Sequence, residues 1–311
     1  MLTRKVFLTL IITVLSLLTA CSPISAEQDK PVVVASTTLI GDVVQQISGD
    51  LVDLHVLLPV NSDPHSFSPA PKDVVMIETA SLVFLNGFHL EESLENLITA
   101  NAQGRIVTVS DGVQTIEIGS FTHSEDSQTG TEEQHAGPDP HVWMDPSNVQ
   151  VWVENIARAL SDIDPGNAAI YQQNAKVYLL ELEQLNNWIA DQVAQIPPER
   201  RELITDHDDL GYFAQAYGLH VVGVVVIGGS TLSDPSAQQI AGLEQVITDS
   251  GAPAIFVGTT VNSRLSERIA ADTGAVLVRV YTGSLSAPDG PAGTYIEMMQ
   301  YNVTAIVEAL K

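Results

Sequence analysis

Residues 164–198 read DPGNAAIYQQNAKVYLLELEQLNNWIADQVAQIPP. Asp164-Pro165 is a helix start, with aspartate as the capping residue and proline at the first helical position, where a missing N–H costs nothing. Tyr171, Ala175, Tyr178, Leu182, Leu185, Ile189, Val193 and Ile196 then recur every three or four residues, so one face stays apolar throughout. Pro197-Pro198 stops the run. The pattern predicts a linking helix across 164–196, about 31 helical residues and ~46 Å long at 1.5 Å per residue. A helix of that length in mid-chain can serve two lobes as a common spine.

The sequence on both sides alternates strand with helix. In 31–163, the β-branched run 31–36 is a buried strand, followed by helix 39–47, strand 51–58, helix 73–79, strand 81–85, helix 91–99, strand 105–109 and, further on, helix 147–163. In 197–311 the series restarts: strand 202–205, helix 210–217, strand 221–227, helix 235–250, strand 254–257, helix 263–273, strand 275–280 and helix 294–311. The fold class is α/β, two similar lobes with mostly parallel sheets joined by one long helix. Residues 119–137 interrupt the first lobe with Ser, Thr, Gln, Gly and acids and no apolar period after Phe121, as expected of a flexible acidic surface loop.

Residues 1–20 stand apart from the fold. Arg4 and Lys5 precede an apolar run from Val6 to Leu18 that is too short to span a membrane, and Leu18-Thr19-Ala20-Cys21 follows. This reads as a secretory signal that ends in a lipoprotein-type cysteine, with Cys21 lipidated and 21–30 a polar tether; an ordinary cut near Ala26 is the alternative. The protein is then exported and lipid-anchored at the cell membrane, in the periplasm or on the outer face of the cytoplasmic membrane. Cys21 is the only cysteine, so no internal disulfide and no thiolate metal site can form. Without Arg4 and Lys5 the 13 basic residues become 11, against 38 acidic ones, a formal charge of −27. Such a chain repels nucleic acid and anionic lipid and attracts cations. A monomer is expected.

Three histidines lie in stiff polar turns instead of on apolar faces: His65 in Asp-Pro-His-Ser-Phe (63–67), His141 in Asp-Pro-His-Val-Trp-Met-Asp-Pro (139–146) and His207 in Ile-Thr-Asp-His-Asp (204–208). Imidazole held by a short proline-stiffened loop suits metal ligation, because its direction is set at little entropic cost. Ligands of open α/β sheets gather at the carboxyl ends of the strands. His65 and His207 follow strands and His141 precedes helix 147–163, so the three can meet in the cleft between the lobes. Asp63 and Asp208, next to two of them, either orient an imidazole through its free N–H or supply a fourth donor. His123 and His135 could form an auxiliary metal-binding loop. His55, His89 and His220 read as packed or exposed residues.

With Asn-Gly-Phe-His-Leu-Glu (86–91), His-Asp-Asp-Leu-Gly-Tyr-Phe (207–213), Tyr-Gly-Leu (217–219), Pro-Ser-Ala (235–237) and Tyr-Ile-Glu-Met-Met-Gln-Tyr-Asn-Val (295–303), these motifs resemble the metal-specific solute-binding proteins of bacterial ABC importers, the zinc and manganese group. The resemblance covers Val32 to Leu310. It implies two α/β lobes bridged by a long helix, His65, His141 and His207 as ligands, a membrane permease as partner, and a metal as cargo. Family members that bind manganese usually carry a carboxylate at the position of His207, and three neutral imidazoles favour zinc, so Zn2+ is expected ahead of Mn2+, with a manganese- or iron-binding member of the same family as the alternative. The chain departs from the family pattern at Gly283, where an aspartate ligand is frequent, and at Gly258, where an acid is common. Affinity should fall as pH drops through roughly 6.5, because binding needs neutral imidazoles. The rival reading is a three-histidine zinc hydrolase or lyase; no general base, His-Glu-x-x-His helix or nucleophile elbow supports it.

Overall fold

The computed structural model describes residues 30–119, 137–226, 231 and 235–311, and Pro31–Lys311 form one compact unit. Strands β1 (Val32–Ala35), β2 (Asp53–Val56), β3 (Leu82–Leu85) and β4 (Arg105–Thr108) form a parallel sheet in the order β2-β1-β3-β4. Strands β5 (Glu202–His207), β6 (His220–Val226), β7 (Ala254–Gly258) and β8 (Val276–Val280) form a second parallel sheet in the order β6-β5-β7-β8. The two orders are the same permutation, so the lobes share one topology. In each sheet the order reverses beside the first strand, and the crevice outside the strands' carboxyl ends at that point is the natural ligand site.

Period-two alternation divides the strand side chains between two faces. Val33, Ala35, Leu82, Phe84, Leu203, Ala254 and Phe256 enter one large core that runs through both lobes. Val34, Val83 and Leu85 face a separate cluster beneath helices α2 (Pro71–Thr79) and α3 (Glu92–Asn101). Ile204, Ile255 and Val257 do the same beneath α7 (Ala237–Ser250) and α8 (Arg264–Thr273). The shared core is closed by α1 (Thr38–Ser48), α4 (Pro146–Ile163), α5 (Ala168–Val193) and α9 (Tyr295–Leu310). Between β5 and β6 the second lobe has the short helix α6 (Gly211–Tyr217).

The long helix is α5. It buries Tyr171, Ala175, Tyr178, Leu182, Leu185, Ile189 and Val193, the stripe read from the sequence, and packs against α1, α4 and α9. Its start differs from the expectation. Asp164 ends α4 through its backbone N–H, while its carboxylate accepts from Asn167 Nδ2 and Tyr171 OH at 2.7 Å each. Pro165, Gly166 and Asn167 make a turn, as their types favour, and the helix begins at Ala168. At the other end i→i−3 bonds tighten Gln195 and Ile196 before Pro197 excludes the helical conformation. The helix therefore has 26 residues, about 39 Å at 1.5 Å each.

Candidate metal centre

His65, His141 and His207 come together. Each offers a ring nitrogen, and all three nitrogens lie within 4.8 Å of one another. The ring centroids of His65–His141 and His141–His207 are 5.2 Å apart, and those of His65–His207 are 5.8 Å apart. His65 Nε2 and His141 Nε2 are 3.1 Å apart, near the roughly 3.3 Å edge of a tetrahedron with 2.0–2.1 Å bonds to a shared ion. His65 lies between β2 and α2, His141 opens a short 3-10 turn (Val142–Met144) that leads into α4, and His207 is the last residue of β5. The first two come from one lobe and the third from the other.

Asp-Pro-His occurs twice and makes the same turn twice. Asp63 Oδ1 accepts the His65 N–H at 3.0 Å, and Asp139 Oδ1 accepts the His141 N–H at 2.9 Å. The proline between them fixes φ and aims the histidine. Beyond the turn the two aspartates differ. Asp139 Oδ1 also lies 2.8 Å from His141 Nδ1, which leaves Nε2 facing His65 Nε2. Asp63 Oδ2 accepts from Ser66 Oγ and from Thr231 Oγ1 in the second lobe. Asp63 shapes its turn and ties the lobes, and it does not join the cluster of ring nitrogens.

Behind His141 the turn is pinned from the first lobe. Asn86 Nδ2 donates to the Pro140 carbonyl at 3.0 Å. Asn86 opens a turn in which Gly87, Phe88 and His89 all have positive φ, costly for the last two. The fully buried Glu91 holds that turn by accepting from Asn86 N–H, Gly87 N–H and Ser36 Oγ. Trp143, edge-on to His141, donates Nε1–H to the Thr282 carbonyl at 2.8 Å, across the cleft.

The motif 207–213 serves both lobes. Asp206 Oδ1 and Asp209 Oδ2 lie 3.2 and 3.3 Å from His207 Nδ1. Asp208, named from the sequence for this role, is buried beside them; the two carboxylates at Nδ1 are those of its neighbours. Gly211 leaves room for Asp139: a Cβ there would stand 2.9 Å from Asp139 Oδ2. Tyr212 OH donates to the Asp139 carbonyl at 3.0 Å. The sequence reading missed Asp139, Asp206 and Asp209 as orienting groups. The repeated Asp-Pro-His could have revealed the first; nothing local marks which of three nearby aspartates faces the ring.

Burial and the neighbouring histidines lower the His65 pKa to about 3. Burial, then His207, also pushes His141 well below its ordinary value. Both are therefore neutral, with lone pairs free. Burial disfavours charge on His207 too, but Asp209 and Asp206 overcome it and raise its pKa to about 10. Burial raises Asp139 to about 7. Among the remaining histidines, His55 pairs with Asp53 and the exposed His89 with Glu95. His123, His135 and Cys21 lie outside the described residues.

A family model described as zinc-uptake complex component A, periplasmic (ZnuA), matches residues 33–309. The chain belongs to this family. Among its relatives, the manganese-binding lipoprotein MntA of Halalkalibacterium halodurans is 32% identical over 279 residues, covering 89% of this chain and 88% of that protein. The manganese ABC transporter substrate-binding lipoprotein PsaA of Streptococcus pneumoniae is 30% identical over 286 residues, again covering 89% and 88%. The Mn-bound periplasmic metal binding protein of Candidatus Liberibacter asiaticus superposes with TM-score 0.77 at 30% identity, covering 91% of this chain and all of that one. The periplasmic zinc binding protein TroA of Treponema pallidum does so with TM-score 0.79 at 29% identity, covering 90% of this chain and 99% of that one. The resemblance read from the motifs, the two-lobed α/β fold and the assignment to metal-binding transport components instead of enzymes are borne out. Among the described residues no helix is long and apolar enough to cross a membrane.

Proposed function

We propose that this protein captures zinc outside the cytoplasm through His65, His141 and His207 and presents it to the membrane permease of an ABC importer. One observation carries the reading: three imidazoles from three distant segments meet with their nitrogens within 4.8 Å, and His65 and His141 among them are neutral. Among the described residues no carboxylate joins that cluster. An all-nitrogen donor set suits a borderline ion such as zinc better than the harder manganese. Lipid on Cys21, followed by the tether 21–30, would hold the protein near its permease. The ion completes the site by joining two lobes that already share a core, so loading requires only local rearrangement.

A manganese cargo is the second reading, favoured by relatives that are 30–32% identical and named for manganese. Competition titrations of the mature protein separate the two. Zinc should displace manganese by well over tenfold. His65→Ala, His141→Ala and His207→Ala should each weaken zinc binding by at least 100-fold (about 2.7 kcal/mol). Unchanged affinity in all three variants would exclude the site, and preference for manganese would exclude the zinc assignment.

A further inference from the structure

A dication held by three neutral imidazoles carries its whole charge into a site where His141 and His207 are 1% and 3% exposed. Such a charge needs a counter-charge nearby. The described residues place none within the cluster of ring nitrogens, and one neighbouring position is crowded. A Cβ on Gly283 would stand 2.8 Å from Thr260 Oγ1 and 3.3 Å from Pro64 Cδ, beside His65. That space is closed to a carboxylate-bearing side chain unless Thr260 moves.

The negative charge sits one ring further back. Asp206 and Asp209 both face His207 Nδ1, which has a single hydrogen to give. Asp206 has other partners: Oδ1 accepts the His207 N–H and Oδ2 accepts the Gly258 N–H, both at 2.9 Å. Asp209 Oδ2 faces His207 Nδ1 at 3.3 Å and the hydroxyl of the buried Thr282 without a well-formed hydrogen bond to either. Gly258 makes room for this arrangement, since a Cβ there would stand 2.9 Å from Thr282 Oγ1 and 3.4 Å from Asp206 Oδ2. A buried carboxylate oxygen whose hydrogen bonds are poorly formed works against stability. Its place directly behind His207 points to a role in binding.

We propose that Asp209, paired with Asp206, is a positioning residue that keeps Nδ1–H of His207 turned inward and Nε2 turned to the cargo, and supplies through the ring the negative charge that no metal-bound carboxylate provides. The arrangement keeps the charge near the ion but withholds a hard oxygen donor, and so selects zinc over manganese. It rests on the metal-capture reading above.

Asp209→Asn tests it, with zinc and manganese affinities measured by chelator competition and the Tm of the metal-free protein measured alongside. Zinc affinity should fall about 10–100-fold, while the metal-free Tm stays level or rises. Asp206→Asn, as a second variant, should lower zinc affinity in the same way. Parental zinc affinity in both variants, with His207→Ala still abolishing binding, overturns the proposal and leaves the capture reading standing. Affinity and metal-free Tm falling together overturns it in favour of a structural role. Unchanged binding in all three histidine variants removes the reading beneath it.

Discussion

At the scale of single residues, the three clustered histidines are set by what stands behind them. Asp139 is held by the His141 turn, by Gly211's missing Cβ and by Tyr212 at its carbonyl. Gly211→Ala drives a methyl against Asp139 Oδ2 and should weaken zinc binding about tenfold through the misdirected His141 ring, read by competition titration; parental affinity would show that the carboxylate can shift freely. Protonation acts at His207. In the metal-free protein its pKa is raised to about 10 by Asp209 and Asp206, so at neutral pH the incoming ion displaces a proton. Apparent affinity should thus keep rising by up to about tenfold per pH unit above 7 until near pH 10, well beyond the 6.5 expected of an ordinary histidine. Calorimetry in buffers of different ionisation enthalpy should register about one proton released per ion at pH 7.5; no release would contradict the raised pKa.

At the scale of elements, α5 carries the argument. Its stripe places Leu182 in the shared core at 0% exposure and leaves Leu180 at 58%. Leu182→Ala should cost about 2–5 kcal/mol and Leu180→Ala no more than about 0.5 kcal/mol in urea unfolding. Similar losses at both positions would mean the helix is rotated from the orientation described. Asp164 shows how two helices share one residue, its N–H closing α4 and its carboxylate bracing the first turn of α5 through Tyr171. The apolar period of the stripe was legible because burial repeats every turn. The helix start was not, because Asp-Pro suits a helix entry and a turn equally until the next two residues are placed.

Across the whole molecule, the lobes are not independent. One apolar core runs from Val33 to Leu310, and polar bonds cross between lobes: Asp42 accepts Tyr295 N–H at 2.8 Å, Thr38 Oγ1 accepts Leu285 N–H at 2.9 Å, and Tyr295 OH donates to the Trp143 carbonyl at 2.7 Å. Thermal unfolding of the metal-free mature protein should therefore be a single cooperative transition, and two resolved transitions in calorimetry would refute a shared core. Zinc at a hundredfold excess over Kd should add about 2.7 kcal/mol. Solution scattering should show almost no change in radius of gyration on loading, since the crossing bonds resist a wide hinge.

The alternating strands and helices, the spine and the three histidines follow from local pattern, because period, proline placement and residue chemistry are properties of short stretches. The strongly acidic character and the single cysteine are compositional. What only the tertiary structure decided is which groups meet. Asp206 and Asp209 face His207, Gly211 of one lobe makes room for Asp139 of the other, and Thr260 occupies the space beside Gly283. Gly211 and Asp139 are 72 positions apart, and Pro64 comes up beside Gly283 from some 220 positions away. No local pattern encodes such distances; they are set by two sheets closing on one core.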